Sequence, residues 1–516
     1  MRGLQTTIRR CDESIASLFD RAFAPKSNPW RFLGALSFWC LALCVLSGII
    51  AYAFYDTSVV GAYESGRRLE EGYFFLGRVL RGIHRYSADG FLFLSVIHLV
   101  REWARGHHRG VRWFPWVSGV PLLALLWIAG ITGFWLLWDS RALYSVTATA
   151  EWIQALPGFS DLLTRNFLTP QSLTDRFFSL IVFIHIGVPL FLLAGVWIHI
   201  QRIANVRLWP PKVLAYGTAL ALTAISLAVP VRSLDAASAG GLPATLSLDW
   251  FYMAVHPLVD VSSAQAVWMG FLVLFIFLLS LPWWPRAKTP VQQVAFVDLL
   301  NCNGCGRCAV DCPFGAVIMV PRSDNLHHRQ QASVVSDMCA GCGICVGACP
   351  SSTPFRRIED IVSGIELPEL PVARLRKQLQ SILHEPSNVS SKLVLFTCRQ
   401  AADWSSLDNE QQSTVALECA GMLPPSFAEY AIRQGAAGVV IAGCKSCDCE
   451  FRLGDRWVEE RLQGSREPRL RAAVPREKIE VVWAGDDQHM LDDAIDRLRA
   501  RLREGSSSSN ASPIEP

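Results

Sequence analysis

Four histidines on two apolar stretches limit what this chain can build. IHRYSADGFLFLSVIHLVREW carries His84 and His98, and FIHIGVPLFLLAGVWIHIQR carries His185 and His199. Each pair is fourteen residues apart. At about 100° per residue, fourteen steps fall about 40° short of four full turns, so both imidazoles of a pair share one helix face. A rise of about 1.5 Å per residue puts them roughly 21 Å apart along the axis. Two such helices, antiparallel and face to face, offer two bis-imidazole sites at two depths. Neutral imidazole is a common haem-iron ligand, so the arrangement suits two stacked b-type haems. Ionisable groups inside an apolar span are rare and usually functional, and here the spacing repeats.

The surrounding sequence is that of a membrane protein with a soluble end. Hydrophobic residues make up 51% and charged residues 18% of 516, and the charges gather in the last third. Six apolar spans of about 20 residues are expected: Trp30–Phe54, the His84/His98 helix, 114–138, the His185/His199 helix, 213–231 and 265–284. A long connector, 139–177, is broken by Pro157, Gly158 and Pro170. Residues 1–29 lack the apolar core of a cleavable signal and read as an amphipathic helix on the cytoplasmic face. Basic residues follow spans two, four and six: Arg101, Arg105, Arg109 and Arg112, then Arg202, Arg207 and Lys212, then Arg286 and Lys288. The positive-inside rule makes these connectors cytoplasmic. His84 and His185 are then expected to hold an outer haem, and His98 and His199 an inner one. Arg78, Arg81 and Arg85 run against the rule but flank a proposed haem, whose propionates want cations. Gly34 and Gly48, and Gly119 and Gly133, are also fourteen apart. A glycine facing each macrocycle lets a backbone approach a flat ring. Cys40 and Cys44, one turn apart, read as small apolar packing.

These residues resemble the cytochrome b subunit of respiratory and photosynthetic cytochrome bc complexes. The histidine pairs and the four glycines match, as do Pro189 four residues after His185, Arg81 three before His84, and Arg101 three after His98. The resemblance covers about residues 15–285 and implies that Arg81 and Arg101 serve haem propionates. TGFWLLWDSRALYS is similar to the start of that family's quinol pocket, with Leu137 where the family has proline. LSLDWFYM is similar to its Pro-Glu-Trp-Tyr signature, with Leu248, Asp249 and Phe251 in place of the proline, glutamate and tyrosine. This implies a quinone site at Asp249, Trp250 and Tyr252. A carboxylate at the membrane edge can exchange the proton that a quinone takes or gives. His256 lies nearby.

Sixteen cysteines, most of them late in the chain and at CxxC spacings, point to metal centres in a reducing compartment. Cys302-x2-Cys305-x2-Cys308-x3-Cys312-Pro313 is followed by Cys339-x2-Cys342-x2-Cys345-x3-Cys349-Pro350. This is the doubled bacterial ferredoxin motif. Three cysteines of each run bind one cubane and the fourth crosses to the other. Cys302, Cys305, Cys308 and Cys349 are thus expected to hold one [4Fe–4S] cluster, and Cys339, Cys342, Cys345 and Cys312 the second. Structural zinc sites lack the third cysteine and the Cys-Pro step. The intervening PRSDNLHHRQQ reads as a surface loop, with His327 and His328 solvated.

From residue 391 strands alternate with helices, which implies a parallel sheet. Cys398, Cys419 and Cys444 fall at strand ends, where open α/β sheets bind ligands. Joined by Cys447 and Cys449, they could hold a small iron–sulfur centre; a dithiol pair at Cys444 and Cys447 is the alternative. GCKSCDCEFRLG, with the earlier LEC and FTC, resembles the delta subunit of methyl-viologen-reducing hydrogenases, which implies a [2Fe–2S] cluster. The family's first motif often has two cysteines, and here Cys398 is the one found. The ligands are then Cys398, Cys419, Cys444 and Cys449, with Cys447 a spare or a substitute.

The expected organisation is multidomain: an all-α transmembrane bundle of six spans with a four-helix dihaem core, a ferredoxin-like α+β dicluster domain, and a C-terminal α/β parallel-sheet domain. The expected boundaries are 1–29 (amphipathic segment), 30–288 (membrane domain), 289–360 (ferredoxin domain), 361–390 (linker helix), 391–504 (delta-subunit-like domain) and 505–516 (disordered tail). No GxGxxG follows a strand and no CxxCH occurs, so neither a nicotinamide or flavin site nor a c-type haem is evident. The centres form a wire from a cytoplasmic redox partner, a dehydrogenase or flavoprotein subunit, to the quinone pool. The function expected is that of a quinone reductase module, the quinone-reactive subunit of an oxidoreductase complex in a bacterial inner membrane. Two alternatives stay open: the same wire run backwards from quinol to a cytoplasmic acceptor, and a non-enzymatic redox sensor or scaffold. A homodimer through the membrane domain is a further option. A net charge of +3 without a basic aromatic patch gives no sign of nucleic acid.

Overall fold

The computed structural model describes residues 2–72, 74–157, 174–238, 243, 245–284, 293–324, 328–384 and 392–509. Gly158, Pro170, Arg286, Lys288, His327 and the tail from 510 therefore lie outside the described residues. The chain divides into two compact units, Met1–Gln201 with Val206–Pro285, and Arg202–Asn205 with Arg286–Pro516.

The first unit is helical: α1 (Arg2–Ala22), α2 (Leu33–Tyr52), α3 (Gly61–Glu71), α4 (Phe74–Ala104), α5 (Trp113–Trp135), α6 (Ser140–Gln154), α7 (Asp175–Ile200), α8 (Lys212–Ala228), α9 (Val255–Val261) and α10 (Ala264–Ser280). Among the described residues, four helical stretches are long and apolar enough to cross a membrane: Leu33–Tyr52, Gly110–Trp135, Asp175–Ile200 and Ala264–Trp283. The Lys212–Ala228 helix is apolar but shorter. Helix α4 carries Arg78, Arg81, Arg85 and Asp89, which lower its hydropathy. Leu190, Phe191, Leu220, Val273 and Ile276 point outward, the inverse of a water-soluble bundle and the pattern lipid selects.

Helix α2 packs on α4 and α5 on α7. Between them Leu41, Leu92, Leu126, Phe134, Leu192 and Tyr252 form one apolar cluster. Asp12 anchors α1: it accepts from Arg101 Nε (3.1 Å), Arg105 Nε (2.8 Å) and Trp30 Nε1 (2.7 Å). The connector expected at 139–177 contains α6, started by the Asp139 carboxylate accepting from the Ala142 amide. A side-chain cap of this kind lets a short helix form between two spans.

The second unit starts with β1 (Phe296–Val297), α11 (Arg307–Asp311), β2 (Val317–Pro321), β3 (Gln330–Val334), α12 (Ile344–Ala348) and β4 (Ile365–Glu366). β2 and β3 form a hairpin, so the polar segment between the cysteine motifs is strand at both ends. β4 pairs antiparallel with β1, Phe296 opposite Glu366. The ferredoxin fold therefore closes at Glu366, beyond the boundary expected at 360, because Ile365 and Leu367 are buried against it. Helix α13 (Val372–His384) follows.

The C-terminal part holds β5 (Leu393–Cys398), β6 (Gln412–Leu417), α14 (Pro425–Arg433), β7 (Gly438–Ala442), α15 (Gly454–Gln463), β8 (Ile479–Val482) and α16 (Gln488–Ser509). The sheet is parallel in the order β6-β5-β7-β8. β5 is buried along its whole length, as a central parallel strand covered on both faces must be. Leu491, Ala494, Ile495 and Leu498 of α16 pack on it. α16 continues to Ser509, into the stretch expected to be a disordered tail from 505. No proline interrupts the helix there.

Candidate functional site

The fourteen-residue spacing places each histidine against a glycine of the neighbouring helix. A Cβ built on Gly48 would stand 2.8 Å from His84, on Gly133 2.9 Å from His185, on Gly119 3.0 Å from His199, and on Gly34 3.5 Å from His98. Any side chain at the first three positions would displace the imidazole. The His84 and His185 rings face each other across α4 and α7 with centroids 6.2 Å apart. An iron about 2 Å from each of two facing ring nitrogens would separate the ring centres by about 6 Å, so these residues fit a bis-imidazole haem.

Three of the rings are oriented by the helix they face. The Nδ1 of His84 lies 2.9 Å from the Cys44 carbonyl, and that of His185 2.9 Å from the Ala129 carbonyl. The His199 ring bonds the Pro115 carbonyl. Each carbonyl lies four residues before the facing glycine, and the residue just before that glycine adds a hydroxyl: Ser47 at 3.4 Å, Thr132 at 3.3 Å, Ser118 at 3.2 Å. Such bonds at Nδ1 leave Nε2 as the free donor to a metal. His98 differs: its Nδ1 faces Glu102 Oε1 at 3.8 Å. Cys44, expected to be mere packing, also touches His84, with Sγ 3.5 Å from its carbonyl and 3.7 Å from Nδ1. Cys40 is buried in the apolar cluster as expected. The arginines have carboxylate partners: Arg81 Nη1 meets Glu70 at 2.8 Å, and Arg101 meets Asp12.

In the second unit, Gly306 and Gly343 start α11 and α12 from left-handed backbone, φ 75° and 72°. Each turn brings the third cysteine of its motif back towards the first two. Cys302, Cys305, Cys308 and Cys349 line one small cavity with Met319 and Ile365. Cys345 lies in the field of Cys342, Cys312 and Cys339. Burial first, and then the facing sulfurs, push the Cys308 thiol up to about 12 and raise Cys345 well above its ordinary value. Buried sulfurs that repel one another's ionisation suit a multinuclear iron centre, whose positive charge would hold them as thiolates.

Cys398, at the end of β5, has its Sγ 3.9 Å from that of Cys444. Cys419 and Cys444 lie just past β6 and β7. Cys398 interacts with Cys419 and Cys444, and Cys449 with the same two, so the four sulfurs form a ring. Hydrogen bonds from Cys419 and Cys444 lower Cys398 to about 3, while the same contacts raise Cys419 and Cys444. Cys447 stands at φ 61° with its amide donating to Asp455 at 2.9 Å and its sulfur 3.9 Å from the Ser446 hydroxyl. Cys342 packs in one apolar cluster with Cys419, Leu453 and Trp457, with Cys449 against it. A buried ion pair of Arg461 with Asp311, the neighbour of Cys312, locks the two parts of this unit together.

Residues 18–206 match the cytochrome b/b6/petB family, residues 301–353 a 4Fe-4S dicluster domain, and residues 396–504 the delta subunit of methyl-viologen-reducing hydrogenase. Cytochrome b6 of Euglena gracilis is 30% identical over 164 residues, which span 31% of this chain and 76% of that protein. The chain belongs to the cytochrome b/b6 family. Cytochrome b6 of Synechococcus sp. (strain RCC307) is 29% identical over 31% of this chain and 75% of its own length. A chain from a hyperthermophilic respiratory Complex III overlays with a TM-score of 0.41 and 17% identity, covering 49% of this chain and 75% of that one. The three matches follow one another in the order expected. Cytochrome b membership implies haem b, and the dicluster match implies [4Fe–4S] clusters.

In the cytochrome b part, the three residues expected at a quinone site do not point one way. Asp249 is buried, accepts from the Phe251 and Tyr252 amides at 3.0 and 2.7 Å, and is ion-paired with Arg85. Tyr252 is buried, whereas Trp250 faces outward at 64% exposure. Arg85 also pairs with Asp89 and lies over the Phe134 ring at 4.9 Å. His256 is buried, with Nε2 3.3 Å from Ser145 Oγ and its ring edge-on to Tyr144. Sequence reasoning missed Arg85 as the partner of Asp249, 164 residues away. It also missed the hydroxyl residues before three of the glycines, although a repeated Ser/Thr-Gly step was there to be read.

Proposed function

We propose that this cytochrome b-type chain is the quinone-reactive membrane subunit of a redox complex. It spans a bacterial inner membrane six times, with its N-terminal helix and cysteine-rich unit on the cytoplasmic side. Its partner there is a dehydrogenase or flavoprotein subunit. The reading rests on one observation above all: the His84 and His185 rings face each other at 6.2 Å, each backed by a glycine that leaves no room for a side chain. When bound, two b haems, two [4Fe–4S] clusters and one [2Fe–2S] cluster would supply one-electron carriers between that partner and a quinone.

His84 and His185 serve the outer haem, His98 and His199 the inner one, and Arg81 and Arg101 the propionates. Cys302, Cys305, Cys308 and Cys349 hold one cubane, and Cys339, Cys342, Cys345 and Cys312 the other. Cys398, Cys419, Cys444 and Cys449 hold the [2Fe–2S] cluster, which their ring of contacts supports. The shared apolar packing of Cys342 with Cys419 supports an order in which the second cubane neighbours that cluster. Reducing a quinone takes up two electrons and two protons. Asp249, ion-paired with Arg85, the residue next to His84, is the group we assign to pass a proton.

The purified protein with its native partner should show low-spin b-haem absorbance that quinol reduces. Replacing His84 and His185 with alanine should remove one haem, and replacing His98 and His199 the other. Full absorbance in both double variants overturns the reading. Asp249→Asn should slow quinol-driven haem reduction by about 10²-fold; an unchanged rate moves the quinone pocket to the inner side.

A further inference from the structure

The four axial rings are not held alike. His84, His185 and His199 rest on neutral oxygens: a helix carbonyl, with a serine or threonine hydroxyl beside it. These acceptors exist because the facing glycine lies well inside a helix, so a carbonyl four residues earlier points the same way. Gly34, which faces His98, is the second residue of α2, so the chain ahead of it is a short 3-10 turn, Pro29–Arg31, and not α-helix. The residue before Gly34 is Leu33 itself, with no hydroxyl to offer.

A carboxylate takes that place. Glu102 follows His98 by four residues on α4, so the two share a face one turn apart. Its Oε1 is 3.8 Å from His98 Nδ1, and its Oε2 is held at 2.8 Å by His107 Nδ1. At 3.8 Å the contact with His98 is an electrostatic one, longer than a hydrogen bond. The nearby cation on the same turn, Arg101, is engaged by Asp12 at 3.1 Å, as is Arg105 at 2.8 Å. Glu102 thus brings a carboxylate to an axial imidazole, and the same carboxylate also acts electrostatically on His199, the other ring of that pair.

We propose that Glu102, anchored by His107, is a positioning residue that orients the His98 ring and lowers the reduction potential of the haem His98 helps to hold. The proposal rests on the dihaem reading above. A carboxylate beside an axial imidazole raises the basicity of the ligand and favours the more positive, oxidised iron. The two haems would then differ in potential through one side chain rather than through burial alone.

The test is a redox titration of the purified complex, followed in the b-haem absorbance. Two one-electron waves are expected in the parent protein; a parent with no b-haem waves sinks the dihaem reading, not this inference. In Glu102→Gln, which keeps the shape and removes the charge, one wave should move to higher potential while the other stays. The low-spin ferric electron paramagnetic resonance signal of the same haem should shift with it. His107→Gln, which frees the carboxylate without touching a ligand, should move the same wave in the same direction by less, and it decides the matter if Glu102→Gln does not assemble. Two unmoved waves, a downward shift, or equal shifts of both overturn the inference.

Discussion

Gly48 and Gly133 of the helical unit lie in ordinary helix, and what matters is the side chain they lack. A Cβ there would stand under 3.0 Å from an imidazole. Gly306 and Gly343 of the cysteine unit serve a different purpose: they take a left-handed backbone that turns the chain between two cysteines. The helical unit brings donors together from helices far apart in sequence, so clearance between elements is the scarce quantity. The cysteine unit brings donors together within a few residues, so chain direction is the scarce quantity.

Substituting glycines in both units would break or sharpen that contrast. The largest effect is expected from Gly133→Val, which forces the His185 ring out of its seat. The reduced-minus-oxidised spectrum should lose about half its b-haem amplitude, in line with two haems of similar absorbance; a full spectrum would remove the clearance argument. Next comes Gly343→Ala, where the φ of 72° is joined by Met422 Sδ at 2.7 Å and Leu367 Cδ1 at 3.0 Å. Backbone strain and crowding together should cost about 3 kcal/mol. Gly306→Ala has the same backbone but meets only Met319 Cγ, at 3.9 Å, so strain alone should cost about 1 kcal/mol. Denaturant-driven loss of iron–sulfur absorbance measures both, and equal costs would deny that surroundings matter. The smallest effect belongs to Gly66→Ala in α3, where a Cβ meets nothing within 4 Å. That variant should be neutral or up to about 1 kcal/mol more stable in thermal unfolding.

Much of the site was legible because it depends on short-range periodicity. A fourteen-residue repeat on a helix fixes which residues share a face, whatever the helix packs against; Gly34, Gly48, Gly119 and Gly133, expected to face haem rings, lie opposite the four histidines. The Cys-x2-Cys-x2-Cys-x3-Cys-Pro runs carry their own turns. Element boundaries were less legible. β4 pairs with β1 across about seventy residues, and α16 runs past the point where composition turns to serine.

What the chain alone determined, then, is the order of its parts, the helix faces that bear imidazole, and the two cysteine runs. Each is set by contacts within a few turns of its own backbone. Only the tertiary structure decided which polar group meets which. Arg85 reaches Asp249, Asp12 gathers Arg101 and Arg105, Cys44 touches His84, and Glu102 takes the place at His98 that a helix carbonyl takes elsewhere. Most of those pairings join distant segments, and where they do not, as for Glu102, their meaning depends on where a neighbouring helix begins. The energy of a buried charge or hydrogen bond depends on everything around it, and local sequence does not carry that information.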